Sequence, residues 1–194
     1  MILYAILLLP LLLGLACFLL PDKNLSRPQA AAIALVQAAV CALVLVSAVG
    51  GNASTGILYL TESLTFCLSM DTLSGIFCLL VSVCWLLTIP YCSVYMTHEE
   101  HPSRFYGFLF LTESMVLGAA LAADLVTLYL FFEMATLLSF PLVLHSQTSK
   151  ALLGASKYLY YSVAGAFMVL FGMVVLSLRL PLSFAPGGAV SAST

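Results

Sequence analysis

The sequence predicts an all-α, polytopic membrane protein of about six transmembrane helices, and two observations carry that reading. Of its 194 residues, 63% are hydrophobic and 7% are charged, against roughly 45–50% apolar and about 25% charged in ordinary soluble domains. The apolar residues also gather into runs of about 20, the length that crosses a hydrocarbon core ~30 Å thick.

Six such runs follow one another, at about 2–20, 29–50, 71–95, 105–123, 125–145 and 151–178. No Ser/Gly-rich or charged linker divides them, so residues 1–194 read as a single membrane domain. The first run lacks a positive n-region, because Lys23 and Arg27 come after it, and it is read as a retained span despite a faint cleavage-like Leu15-Ala16-Cys17. Pro21-Asp22-Lys23-Asn24 and Arg27-Pro28 separate the first two helices, and Gly50-Gly51-Asn52 ends the second. Residues 52–70 are too short and mixed to span, and alternating Ile57, Tyr59 and Thr61 predict an extended or hairpin segment on the outer surface. Pro10, Pro90 and Pro141 fall within or near the ends of spans and are placed to kink them. Residues 180–194, with Pro181, Pro186, Gly187 and Gly188, predict a flexible outer tail.

Charge and motif content narrow the function. A net charge of −2 and a pI near 5.8 provide no basic field for a phosphate backbone, so nucleic acid is not a partner. The six cysteines are scattered through apolar runs without a C-x-x-C pair or Cys/His metal spacing, and are expected to behave as small hydrophobes. His98-Glu99-Glu100-His101 has a metal-like spacing but lies in a short polar loop, where a solvated turn accounts for it. Asp71 and Asp124 stand at the starts of the third and fifth helices, where capping and the helix dipole favour an acid. No nucleophile with its base, phosphate-binding Gly-rich loop or haem ligand pair is present, so no metal or cofactor is expected in this chain.

Lys and Arg are retained preferentially in cytoplasmic loops. With both termini on the outer side of the cell membrane, Lys23, Arg27, Arg104 and Lys150 all face the cytoplasm and only Arg179 faces out. That is the expected orientation for an even number of helices.

Glu113, Glu133 and Lys157 are the ionisable residues at bilayer depth, where such groups are costly and normally face a partner or a water-filled cavity. At ~1.5 Å per residue, Glu113 is about 13 Å from Arg104, Glu133 about 18 Å from His145 and Lys157 about 10 Å from Lys150. Two carboxylates and an amine at similar depth can share their desolvation cost. Burial and pairing act in opposite senses on each group, so small changes in separation can move a proton. Thr112 and Ser114, Thr136, and Tyr158, Tyr161 and Ser162 are the nearby polar side chains expected to assist. The residues alone leave two readings open: a proton or ion pathway, or a Glu133–Lys157 pair that merely fixes helix packing.

Four segments together carry a resemblance: Asp71-Thr-Leu-Ser-Gly-Ile-Phe, Arg104-Phe-Tyr-Gly-Phe-Leu, Asp124-Leu-Val-Thr-Leu-Tyr-Leu-Phe-Phe-Glu133-Met, and Ala155-Ser-Lys157-Tyr. Over residues 65–175 the chain resembles the antiporter-like membrane subunits of complex I (NADH:quinone oxidoreductase), membrane-bound hydrogenases and Mrp-type cation/proton antiporters. The resemblance implies the N-terminal part of the antiporter-like fold, with Glu133 and Lys157 matching a charged pair implicated in proton translocation and Glu113 matching a residue of some members. Full members have about fourteen helices in inverted halves, so the resemblance covers only the first six. A truncated or split proton-translocating subunit is therefore expected. Its partners are other membrane subunits, possibly a chain carrying the remaining helices, and flavin, iron–sulfur or nickel centres are expected only in those partners. The alternatives are a non-conducting structural subunit of such a complex, and an unrelated small transporter.

Overall fold

A computed structural model of the chain describes residues 2–19, 27–49, 55–61, 64–96, 101–178 and 184. These form six helices and one hairpin: α1 (Ile2–Phe18), α2 (Arg27–Val49), β1 (Thr55–Thr61), β2 (Leu64–Ser69), α3 (Thr72–Tyr95), α4 (Pro102–Ala120), α5 (Leu125–Val143) and α6 (Ser149–Ser177). Long apolar segments become helices because, in lipid, every backbone N–H and C=O must be satisfied within the segment.

The helix starts are chemically marked. Asp71 accepts from the Ser74 amide at 2.7 Å, Asp124 from the Thr127 amide at 2.8 Å, and Thr148 from the Ala151 amide at 3.2 Å. Each side-chain oxygen satisfies an N–H that the first turn leaves orphaned. Helix α4 starts instead with Pro102, preceded by His101 in the left-handed region at φ 56°. Pro10, Pro90 and Pro141 lie inside α1, α3 and α5.

Helix α4 is the central element. It buries Tyr106, Gly107, Leu109, Phe110, Thr112, Glu113, Ser114, Met115, Leu117 and Gly118 among its neighbours, packing against α1, α5 and α3, while α2 packs on α3. The approach of α1 to α4 depends on missing side chains: a Cβ on Gly14 would stand 2.9 Å from the Gly107 carbonyl oxygen, a small-residue contact of the kind that lets membrane helices touch backbone to backbone. Two apolar cores flank α4. Ile6, Val40, Leu68, Met115 and Leu121 belong to one, Ile33, Ile89, Tyr106 and Phe110 to the other. Helix α6 packs mainly against α5, and buries just Ala155 and Met173 of its 29 residues.

Of the six helices, α3, α5 and α6 are both long and apolar enough to cross a membrane, while α1 and residues 33–49 of α2 form shorter apolar helices. The six expected spans are thus unequal. α4 departs for a physical reason: enclosed by protein, it carries Arg104, Thr112, Glu113 and Ser114 where a lipid-facing helix would carry apolar residues.

The hairpin falls within the segment read as extended. β1 and β2 pair antiparallel with Ile57 opposite Cys67, and β2 is fixed to the α4–α5 connection. The Ser69 amide donates to the Leu121 carbonyl at 2.7 Å, the Ala123 amide to the Cys67 carbonyl at 2.8 Å, and the Cys67 amide to the Thr127 hydroxyl at 3.1 Å. At the opposite end, Arg104 donates to the His145 carbonyl at 3.2 Å, tying the α5–α6 turn to the start of α4. All six cysteines are free thiols. His98–Glu100 and, Phe184 apart, the expected tail of residues 180–194 lie outside the described residues.

Candidate functional site

Glu113 stands in the middle of α4 with no exposed surface. At ~1.5 Å per residue it is about 16 Å from the start of its helix. A carboxyl there costs free energy unless it is hydrogen-bonded. Its partner is Gln37 of α2, whose Nε2 donates to Glu113 Oε1 and, at 3.4 Å, to the Ser82 carbonyl of α3. One amide therefore joins three helices at the carboxyl. Gln37, Ser82 and Glu113 are all fully enclosed, and three of their oxygens, Glu113 Oε2, Gln37 Oε1 and Ser82 Oγ, have no hydrogen-bond partner among the described residues.

The polar residues that flank Glu113 in sequence serve other ends. The Thr112 hydroxyl donates to the Phe108 carbonyl of its own helix at 2.8 Å, and the Ser114 hydroxyl donates to the Leu7 carbonyl of α1 at 2.8 Å. Ser114 is thus a cross-helix fastener, and the expected assistance to Glu113 comes from α2 and α3 instead.

Glu133 is half-buried on α5, and Lys157 is exposed on α6. No ion pair joins these two among the described residues. Their helices meet through other groups: the Ser139 and Tyr158 hydroxyls lie 2.7 Å apart, and the Tyr129 hydroxyl donates to the Ala166 carbonyl at 3.3 Å. Thr136, one turn from Glu133, donates to the Phe132 carbonyl at 3.0 Å. The structure therefore gathers Gln37, Ser82 and Glu113 into one site and leaves Glu133 half-buried on α5 and Lys157 exposed on α6, outside it.

Reading the sequence does not identify Gln37 or Ser82 as members of this site. A signal exists for the first, since Gln37 interrupts the apolar run Ala30–Val46 with a side chain that carries two donors and an acceptor. Ser82 offers none, because a serine in a membrane helix normally satisfies itself on its own backbone. No group of three or more His, Cys, Asp or Glu side chains is placed to hold a metal among the described residues. Chemically, the site at Glu113 can hold a proton or a small oxygen-ligated guest.

Comparison with known proteins agrees with this architecture. No family model matches the sequence. The chain is 34% identical over 116 residues to the A1 subunit of the Na(+)/H(+) antiporter of Staphylococcus haemolyticus, and 32% identical over 116 residues to its namesake in Staphylococcus aureus. In both cases the match covers 59% of this chain and 14% of the relative, so it spans only a small part of the relatives' length. Among solved structures, the chain is similar to one from the membrane-bound sulfane sulfur reductase, an archaeal respiratory membrane complex, with TM-score 0.74 and 25% identity over 92% of this chain and 28% of that one. It shares the fold of a chain of the Mrp complex from Dietzia, with TM-score 0.79 and 22% identity over 92% of this chain and 20% of that one. Similar in sequence to part of Na(+)/H(+) antiporter subunits and in fold to chains of respiratory and Mrp membrane complexes, the chain is a multi-pass membrane sequence that resembles antiporter-like subunits.

Proposed function

We propose that this chain contributes a proton pathway to an antiporter-like subunit of a larger complex in the cell membrane, with protons alone or sodium ions exchanged for protons as the transported species. The observation that carries the reading is Glu113: an acid enclosed at mid-depth in the central helix, held by one amide and with no cationic partner among the described residues. A well-packed apolar residue would serve stability better, so an ionisable group retained there is a functional candidate. The names of the sequence relatives, Na(+)/H(+) antiporter subunits, support the same direction.

In this reading Glu113, Glu133 and Lys157 are the proton-bearing groups, and Lys157 faces a surface that further helices, from this polypeptide or another, would cover. Both termini lie on the outer side, as the Lys and Arg distribution favours. Where the complex is an oxidoreductase, flavin, iron–sulfur or nickel centres belong to partner subunits.

The test is to replace Glu113 and Glu133 singly by Gln in the assembled complex and to follow proton movement in inverted vesicles with a pH-sensitive dye. Loss of movement with unchanged subunit composition is expected, and normal movement in both variants would sink the proposal. The absence of a Glu133–Lys157 ion pair among the described residues favours, as a second reading, a subunit that fills space and binds neighbours. Lys157→Met combined with Glu133→Leu is harmless on that reading and abolishes transport on the first. Identification by mass spectrometry of the chains that co-purify with the tagged protein in mild detergent names the complex.

A further inference from the structure

The meeting point of α2, α3 and α4 holds more hydrogen-bonding capacity than the protein itself uses. Gln37, Ser82 and Glu113 are each 0% exposed, yet Gln37 Oε1, Ser82 Oγ and Glu113 Oε2 have no partner among the described residues. Such groups are rarely left unpaired, because each forfeits the hydrogen bonds it made to water before burial. They also belong to one place, since the Gln37 amide nitrogen reaches both Glu113 Oε1 and the Ser82 carbonyl.

Their chemistry selects a guest. Gln37 Oε1 only accepts, Ser82 Oγ donates and accepts, and Glu113 Oε2 accepts when ionised and donates when protonated. A molecule with two donors and two acceptor lone pairs satisfies all three in either protonation state of Glu113. Buried waters typically make about three such hydrogen bonds to otherwise unpaired polar groups. We propose that Glu113, Gln37 and Ser82 form a binding site for a single internal water molecule, which hydrates the Glu113 carboxyl inside the membrane. Gln37 is its positioning residue, holding Oε1 so that Oε2 faces the water. The proposal concerns this site alone and stands whether or not the chain conducts ions.

The test is infrared difference spectroscopy on the full chain in lipid nanodiscs, with the carboxyl bands of Glu113 assigned by their loss in Glu113→Gln. Exchange of ordinary water for its oxygen-18 form should shift a sharp water O–H stretch that is present in the wild type and absent from Glu113→Gln. Ser82→Ala, which removes one anchor of the water with little change in volume, should weaken that water band and displace the Glu113 band while leaving helix content unchanged. Gln37→Leu should displace the Glu113 band further, and if that variant does not fold, the isotope and Ser82→Ala measurements still decide. A Glu113 band indifferent to Ser82→Ala with no isotope-sensitive water band would overturn the proposal. So would displacement of the band when sodium replaces potassium, which would assign the three oxygens to a cation.

Discussion

The Gln37–Glu113 contact can be weighed by a double-mutant cycle, because both side chains are fully enclosed and joined directly. Gln37→Leu preserves most of the volume but leaves both Glu113 oxygens without a donor, which costs about 1–3 kcal/mol for a buried polar group. Glu113→Leu leaves the Gln37 amide with only its 3.4 Å bond to the Ser82 carbonyl and costs no more than that. The double variant removes both polar ends together, and replacing both partners by apolar groups of similar shape is nearly neutral. The two single losses should therefore exceed the double loss, and measured couplings between membrane helices bound the excess at about 0.6–1.7 kcal/mol. Equilibrium unfolding in mixed micelles, read by helix content as the denaturing detergent is titrated, measures all three variants on one scale. Independent sites add to within about 0.3–0.5 kcal/mol. Additivity inside that margin would refute the claim that this amide holds the carboxyl.

Three further outcomes follow from the packing and the caps. Gly118→Ala places a Cβ 2.4 Å from the Phe131 ring, and this overpacking should cost about 1–3 kcal/mol; the additional change Phe131→Leu should recover part of the loss in the same unfolding assay. Thr127→Val deletes the hydroxyl that donates to Asp124 at 2.7 Å and accepts from the Cys67 amide at 3.1 Å, so hydrogen exchange at Cys67 should accelerate more than exchange within α4. Asp71→Ala removes the cap of α3 and should cost about 1 kcal/mol. The Ser74 amide, donating to Asp71, holds that carboxyl below its ordinary range. Its contribution is therefore complete above the unfolded-state pKa and is lost as pH falls through the depressed value. An acid titration should accordingly separate wild type from Asp71→Asn at neutral pH and bring the two together at low pH, once Asp71 is protonated.

Hydropathy and end signals are sufficient to locate the helices, because a span must be apolar along its whole length and its first turn must be capped. Asp71 and Asp124 show how directly the second rule can be read, since each accepts the amide three residues on. Alternation at Ile57, Tyr59 and Thr61 likewise marks the hairpin. Helix order within the bundle is not legible, because a run of apolar residues does not say whether lipid or protein covers it. The polar content of α4 is a clue to its central place, although on the sequence alone it points only to a pathway. The site at Glu113 is half legible: the carboxyl announces itself, whereas Gln37 lies 76 residues away and only the fold brings it near. Thr112 and Ser114 mislead for a geometric reason, since consecutive residues on a helix point in different directions and do not share a face.

The ionisable residues at depth divide by how much of their surroundings this chain supplies. Glu113 receives a donor from α2 and is walled by α3 and α4, so its protonation is governed by groups already in place. Lys157 stands exposed on α6, about 12 Å along the helix from Ser149 at ~1.5 Å per residue. Lysines near helix ends reach the interface by extending along the surface, but one this deep does so only in part, and an ammonium facing hydrocarbon is costly. On the proposed function, that cost is removed when another helix brings an acid or a hydrated groove to the same face. Glu133, half-buried between the two cases, is then the group whose partner is decided by assembly. On the same proposal, Glu113 holds a proton with the helices described here, whereas transfer beyond Glu133 and Lys157 requires a further surface over α6.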